Sequence, residues 1–287
     1  MTEFKEKFIA FIDILGFKRL VAEAETGKGF SLQEITELLG LLGTPRERDH
    51  FEKYGPTCCP ESQRVERDID FRLTQVSDCA IVSAEVSPAG VINLVSHCWG
   101  AVIRLLQKGV MCRGYISKGT IHHTDTHFIG TGYQNVLEAE RGVAMFKRAA
   151  DERGTPFVEV DQAVCNYIAY CDSCVKEMFS RMTKSDGEGV ALFPFKLLSH
   201  SFIIGGFGGT FEPDKEKKSN DNLRNAIISF RDKVAALADS SNHDAVRKAE
   251  HYIGALNAQI DVCAQTDEMI ERLCAPFPAH VMYGNKV

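Results

Sequence analysis

The stretch Phe11-Ile12-Asp13-Ile14-Leu15-Gly16-Phe17 decides how this chain is read. An apolar run, Phe8-Ile9-Ala10-Phe11-Ile12, leads into one carboxylate, and a helical pattern begins after Phe17. A strand this apolar predicts burial on both faces of a sheet. Asp13 then falls at the rim, beside a glycine that lets the backbone turn sharply. A helix starting at such a turn offers its first N–H groups to an anion. A carboxylate beside this turn suits a divalent cation held together with a polyphosphate. An Asp that only caps the helix starting near Gly16 is the alternative.

Outward from this stretch, the pattern predicts a strand over 7–12 and helices over 18–25 and 32–42. From Gly43 to Arg67 regular periodicity gives way to Pro45, Gly55-Pro56, Cys58-Cys59-Pro60 and scattered charges, the pattern of a loop or flap. Two strands follow, Asp70–Val76 and Cys79–Ser83, with Asp78 at the tight turn between them. Gly90 to Lys108 carries a strongly apolar helical face, and Trp99 within it reads as core or interface packing. Strands are expected over 111–121, 127–129 and 157–160, and helices over 133–150 and 162–181. Phe193–Gly206 is apolar and of undecided type. Two long helices over 221–238 and 245–274 read as an antiparallel pair, with the charged Lys215–Lys218 between them and the body. The order predicts a mixed sheet with helices on one face, an α+β or α/β sandwich, with α+β the expected class. The expected division is a catalytic domain over 1–210 and a C-terminal helical extension over 211–287 packed on it.

Composition narrows the class. At 287 residues, 44% hydrophobic and 25% charged, the chain can bury a sizeable core and reads as an ordinary cytoplasmic globule. Its longest apolar run reads as far short of a bilayer span, and no signal-peptide pattern opens it, so membrane insertion is not expected. Ten cysteines without a regular framework suggest reduced thiols. A net charge of −6 argues against nucleic-acid binding.

Asp13 and Asp78 lie about 65 residues apart, yet both fall at strand ends beside tight turns. If strand one pairs with the hairpin, the carboxylates converge on one rim. Two carboxylates holding two divalent cations ~4 Å apart form the core of many phosphoryl-transfer sites. Carboxylate, carbonyl and water ligands suit Mg²⁺ or Mn²⁺. An Asp serving only the hairpin turn is the alternative for Asp78. His122, His123 and His127 with Asp125 match no standard zinc spacing, and a polar hairpin explains them. Cys171-Asp172-Ser173-Cys174 lacks a second cysteine pair. Gly205-Gly206-Phe207-Gly208-Gly209 lacks the Lys-Ser/Thr of a phosphate-binding loop and reads as a turn. Tyr54, in the flap, is a candidate to reach a nucleobase by position only.

Four co-linear motifs carry a resemblance: Phe11–Lys18, Val76-Ser77-Asp78-Cys79, Cys112–Gly119, and Gly130-Thr131-Gly132-Tyr133 with Glu140 beyond. Together, across residues 5–210, they resemble the class III nucleotidyl cyclases, and most closely the pyrimidine cyclases of bacterial Pycsar anti-phage systems. The resemblance implies a head-to-tail homodimer with active sites at its interface. It implies conversion of UTP, or less often CTP, to the 3′,5′-cyclic monophosphate and pyrophosphate, with the product switching on a separate effector. It implies two divalent ions, Mn²⁺ or Mg²⁺, on Asp13 and Asp78 with the Ile14 carbonyl. Amides around Leu15, Gly16 and Phe17 would hold the terminal phosphates, and Phe17 would lie near the nucleotide. Arg113 matches the family's strand arginine, facing nucleotide or phosphate, or else serving as a surface or dimer contact.

The chain also departs from the family pattern. Adenylate and guanylate cyclases carry an Asn and an Arg where this sequence has Gln134 and Glu138, with Asn135 and Arg141 nearby. Their adenine-reading lysine is Thr74 here. The loss of that purine-reading group favours a pyrimidine and leaves the residue stabilising the developing charge unassigned.

Overall fold

Ten residues, Lys5–Ile14, form β1, and every side chain from Lys7 to Ile12 is buried. The computed structural model describes residues 3–44, 46–58, 67–197 and 212–275. β1 lies between β3 (Cys79–Glu85) and β4 (Cys112–His123), antiparallel to both. β2 (Arg72–Val76) pairs with the outer side of β3. Beyond β4 come β6 (Val158–Val160), parallel to it, then β8 (Val190–Leu192) and β7 (Thr183–Ser185). β5 (Phe128–Ile129) pairs with the end of β4, off this path. The architecture is α+β, a mixed sheet with flanking helices.

Alternation along β1 feeds two cores. Phe8, Ala10, Ile12 and Ile14 enter the larger one, with α4 (Pro88–Gln107) and α7 (Ser173–Met182). Ile9 and Phe11 join Ile81 and Ile121 on the other face, under Val136 of α5 (Thr131–Arg141). Helices therefore cover both faces, where the sequence pattern suggested one. The cause is a glycine contact. A Cβ on Gly132 would meet the carbonyl carbon of Gly119 at 2.9 Å and Ile9 Cδ1 at 2.5 Å, so α5 rests directly on β4.

The remaining differences follow from weak local signals. α1 (Phe17–Glu25) and α2 (Leu32–Gly40) stand where expected, the latter opened by a reciprocal Ser31–Glu34 capping box. Within the expected loop lies α3 (Glu47–Tyr54), whose one buried residue, Phe51, packs on Phe71 at 4.9 Å between ring centroids. The helix expected over 162–181 is two, α6 (Gln162–Ala169) and α7, and α5 stops at Arg141 against Gly142. β7 and β8, three residues each, carry too little periodicity to read. A short 3₁₀ turn, Pro194–Leu197, occupies the start of the apolar segment. The remainder of that segment and the Gly205–Gly209 turn lie outside the described residues.

α8 (Pro213–Leu237) and α9 (His243–Cys274) run antiparallel, with Asn220 meeting Cys263 and Arg231 meeting Asn257. The charged 215–218 stretch lies within α8 rather than ahead of it. Ile227, Val234, Tyr252 and Leu256 share a core with Phe157, Phe193 and Phe195 of the body. The Lys233 ammonium donates to the Gln107 carbonyl at 2.9 Å, and Arg19 donates to the Leu237 carbonyl.

α4 is long and apolar enough to cross a membrane, contrary to the reading of short apolar runs, and 67% of that stretch is buried inside the fold. It is a core helix by its contacts. Eight described cysteines are free thiols, while Cys174 is disulfide-bonded, a departure from the all-reduced expectation.

The glycine contact yields a first prediction. Gly132→Ala forces α5 away from β4 and lowers the unfolding free energy by about 2 kcal/mol. Urea titration followed by circular dichroism measures this, and an unchanged midpoint and slope would contradict the close approach.

Candidate active site

The backbone ladder brings the two aspartates together. Asp13 stands opposite Cys79 on one side and Arg113 on the other. Ser77, at φ 54°, turns the hairpin, and the Asp78 carbonyl accepts from the Ile14 amide at 3.1 Å. The turn is thereby bonded to the end of β1. Gly16, at φ 77°, heads α1 and no side chain caps that helix, which removes the reading of Asp13 as a helix cap.

Both aspartates are half-buried. Burial, then the negative fields of Asp78 and Glu140, push the Asp13 carboxyl up to about 7, against the opposing pull of Arg113 and the Ile14 amide. Cys79 beside it is pushed up to about 11 by burial and then by Asp13, Asp78 and Glu140. Uncompensated negative charge on half-buried oxygens is what a hard divalent cation relieves. The donor set fits Mg²⁺ or Mn²⁺, with two carboxylates, the Ile14 carbonyl, and water and phosphate oxygens completing the shell. No group of three or more His, Cys, Asp or Glu side chains that could hold a metal occurs among the described residues.

The anion side is narrower than the sequence suggested. The Leu15 amide donates to the Met111 carbonyl at 3.0 Å and is not available to phosphate. The amides of Gly16, Phe17 and Lys18 stand at the free end of α1. The Phe17 side chain packs against the larger core. A cavity of about 160 Å³ behind this turn is lined by Leu15, Arg19, Met111, Leu237 and Lys248. Neither Asp13 nor Asp78 lines it; it is a space between the body and the α8–α9 turn.

Arg113 is half-buried and its Nε donates to the Glu140 carboxylate on α5. Glu140 is 4% exposed. The sequence placed it in a motif without a role; only its burial opposite Arg113 marks it. Gln134 and Glu138 are exposed on the same helix.

Thr74 lies on the Asp13 face, opposite Ile81, but its hydroxyl is engaged. Thr74 Oγ1 lies 3.1 Å from Nε2 of His123, whose Nδ1 is 2.8 Å from Ser83 Oγ. His122 contacts the Glu3 carbonyl and His127 contacts Thr126, so the histidine cluster is a hairpin network. Tyr54 is 67% exposed at the end of α3, with its ring against His50. Its helix packs through Phe51 into the α4-side core.

No family model matches the chain. No curated protein matches it either. Among solved structures, it is similar to the crystal structure of the catalytic core of a rhodopsin-guanylyl cyclase with converted specificity, in complex with ATPαS. Identity is 12% and the TM-score 0.35, covering 66% of this chain and 95% of that one.

The His123 network carries a pH prediction. Burial, then the charges of Lys7 and Arg72, hold its imidazole down at about 3. The unfolded chain takes up that proton near pH 6.5 and the fold refuses it, so stability is lost as pH falls from about 6.5 toward 3. His123→Gln removes this coupling and shrinks the stability loss between pH 7 and 4.5 by about 2 kcal/mol. Equal pH dependence of urea unfolding in both proteins would contradict the assignment.

Proposed function

We propose that the chain is a nucleotidyl cyclase acting on a pyrimidine nucleoside triphosphate, UTP before CTP, and releasing pyrophosphate. The observation that carries this reading is the meeting of Asp13 and Asp78 at the end of a buried strand, beside the free amide end of α1.

In this reading Asp13, Asp78 and the Ile14 carbonyl hold Mg²⁺ or Mn²⁺. Two ions bound there would neutralise phosphate charge and acidify the attacking 3′-hydroxyl. The amides of Gly16, Phe17 and Lys18 bind the terminal phosphates and orient the α-phosphorus for in-line attack. Arg113 adds positive charge on the Asp13 side. Thr74, on the same face with its hydroxyl bonded to His123, would stand nearest a base edge. The 3′-hydroxyl gives its proton to water as its oxygen bonds to the α-phosphorus, the bond to the bridging oxygen breaks, and pyrophosphate leaves with that electron pair.

A head-to-tail homodimer with active sites at its interface belongs to the same reading. So do a cytoplasmic location, an anti-phage signalling role and a separate effector that senses the product. A nucleotide-binding module without turnover is the second reading. It is favoured by Gln134 and Glu138 at the positions where cyclases carry Asn and Arg.

Incubation with each of the four nucleoside triphosphates and Mn²⁺, analysed by mass spectrometry, tests the proposal. The expected product is cyclic UMP with equimolar pyrophosphate. Asp13→Asn and Asp78→Asn each lower the rate by at least about a hundredfold. Triphosphate binding without any cyclic product, in folded dimeric protein, selects the module instead.

A further inference from the structure

We propose that Glu140 is a positioning residue that sets the Arg113 guanidinium to receive the polyphosphate of the substrate. This rests on the cyclase reading for the identity of that anion. The geometry of the clamp stands apart from it.

Arg113 is seated from two sides. Its Nε donates to Glu140, whose side chain is 5% exposed against 17% for that of Arg113. At the other edge lies Gly154, at φ 66°, where a Cβ would come within 2.7 Å of Arg113 Nη1. The guanidinium therefore occupies space that exists because residue 154 has no side chain. Glu140 is itself placed by α5, which the Gly119–Gly132 contact holds against β4.

A guanidinium carries about five N–H donors in a fixed plane, so anchoring Nε fixes where the terminal amino groups point. Glu140 consumes the Nε donor and leaves the terminal groups for an anion beside Asp13, which faces Arg113 across the β1–β4 register. A buried carboxylate so paired is also a poor cation ligand, which assigns it a role different from those of Asp13 and Asp78. Loss of Arg113 alone would strand the Glu140 charge in a buried site. Glu140→Gln keeps the shape and removes only the charge-assisted anchor.

Titration calorimetry with inorganic tripolyphosphate and Mg²⁺ reads the anion site without turnover. Glu140→Gln is expected to weaken binding about tenfold, with thermal midpoint near that of the unaltered protein. Gly154→Ala, which moves the guanidinium without touching Glu140, is expected to weaken it comparably. The Arg113 Nε–H proton is expected to be sheltered and downfield in ¹⁵N spectra of the unaltered protein and to be lost in Glu140→Gln. Undiminished tripolyphosphate affinity in folded Glu140→Gln, or no affinity in the unaltered protein, overturns the proposal. Tripolyphosphate binding that depends on Glu140, with no cyclic product from any triphosphate, upholds Glu140 and removes the cyclase reading.

Discussion

Like charges do not gather unless something stronger places them. Asp13 and Asp78 repel, and Glu140 adds to their field, yet β1 and β3 pair over Lys7↔Glu85 to Asp13↔Cys79 without a gap. Each net backbone hydrogen bond contributes about 1 kcal/mol, and the ladder is backed by side chains buried on both faces. Removing the repulsion gains less than breaking that ladder costs. The Ile14 amide on the Asp78 carbonyl finishes the constraint by bonding the hairpin turn to the strand end. Burial first, and this imposed proximity after it, raise the Asp13 carboxyl.

What was legible followed from strong periodicity. β1, the hairpin with Asp78 at its turn, α4 and the terminal helical pair all carry long apolar patterns. The elements that escaped are those whose reason lies elsewhere in the fold. α3 buries only Phe51 and is otherwise charged, so its helix depends on docking to Phe71. β8 is held by β6 and β7 by β8, rather than by their own composition. The second covered face depended on Gly119 and Gly132 being neighbours, a relation between residues that neither shows alone.

The site divided along the same line. Asp13, Asp78 and Gly16 were readable because turn chemistry and strand ends are local. The loss of the Leu15 amide was not, since its acceptor, the Met111 carbonyl, belongs to the segment entering β4. Glu140 was equally hidden: a glutamate on a helix reads as surface until the strand arginine opposite it is known. Arg113 illustrates the converse, a residue marked in the sequence for its charge whose Nε is bonded to a partner on another element.

The same face explains why position 74 holds threonine rather than lysine. Along β2, Thr74 and Arg72 share a face, and the neutral His123 ring bridges Thr74 to Ser83. Lys7 is buried nearby, its ammonium lowered to about 8 by burial despite the Asp70 charge. A second ammonium at 74 would enter a region where Lys7 and Arg72 already make protonation of His123 unfavourable. It would also take away the hydroxyl that holds the imidazole. Threonine keeps this stretch polar and uncharged, between an acidic end at Asp13 and a basic end at Arg72.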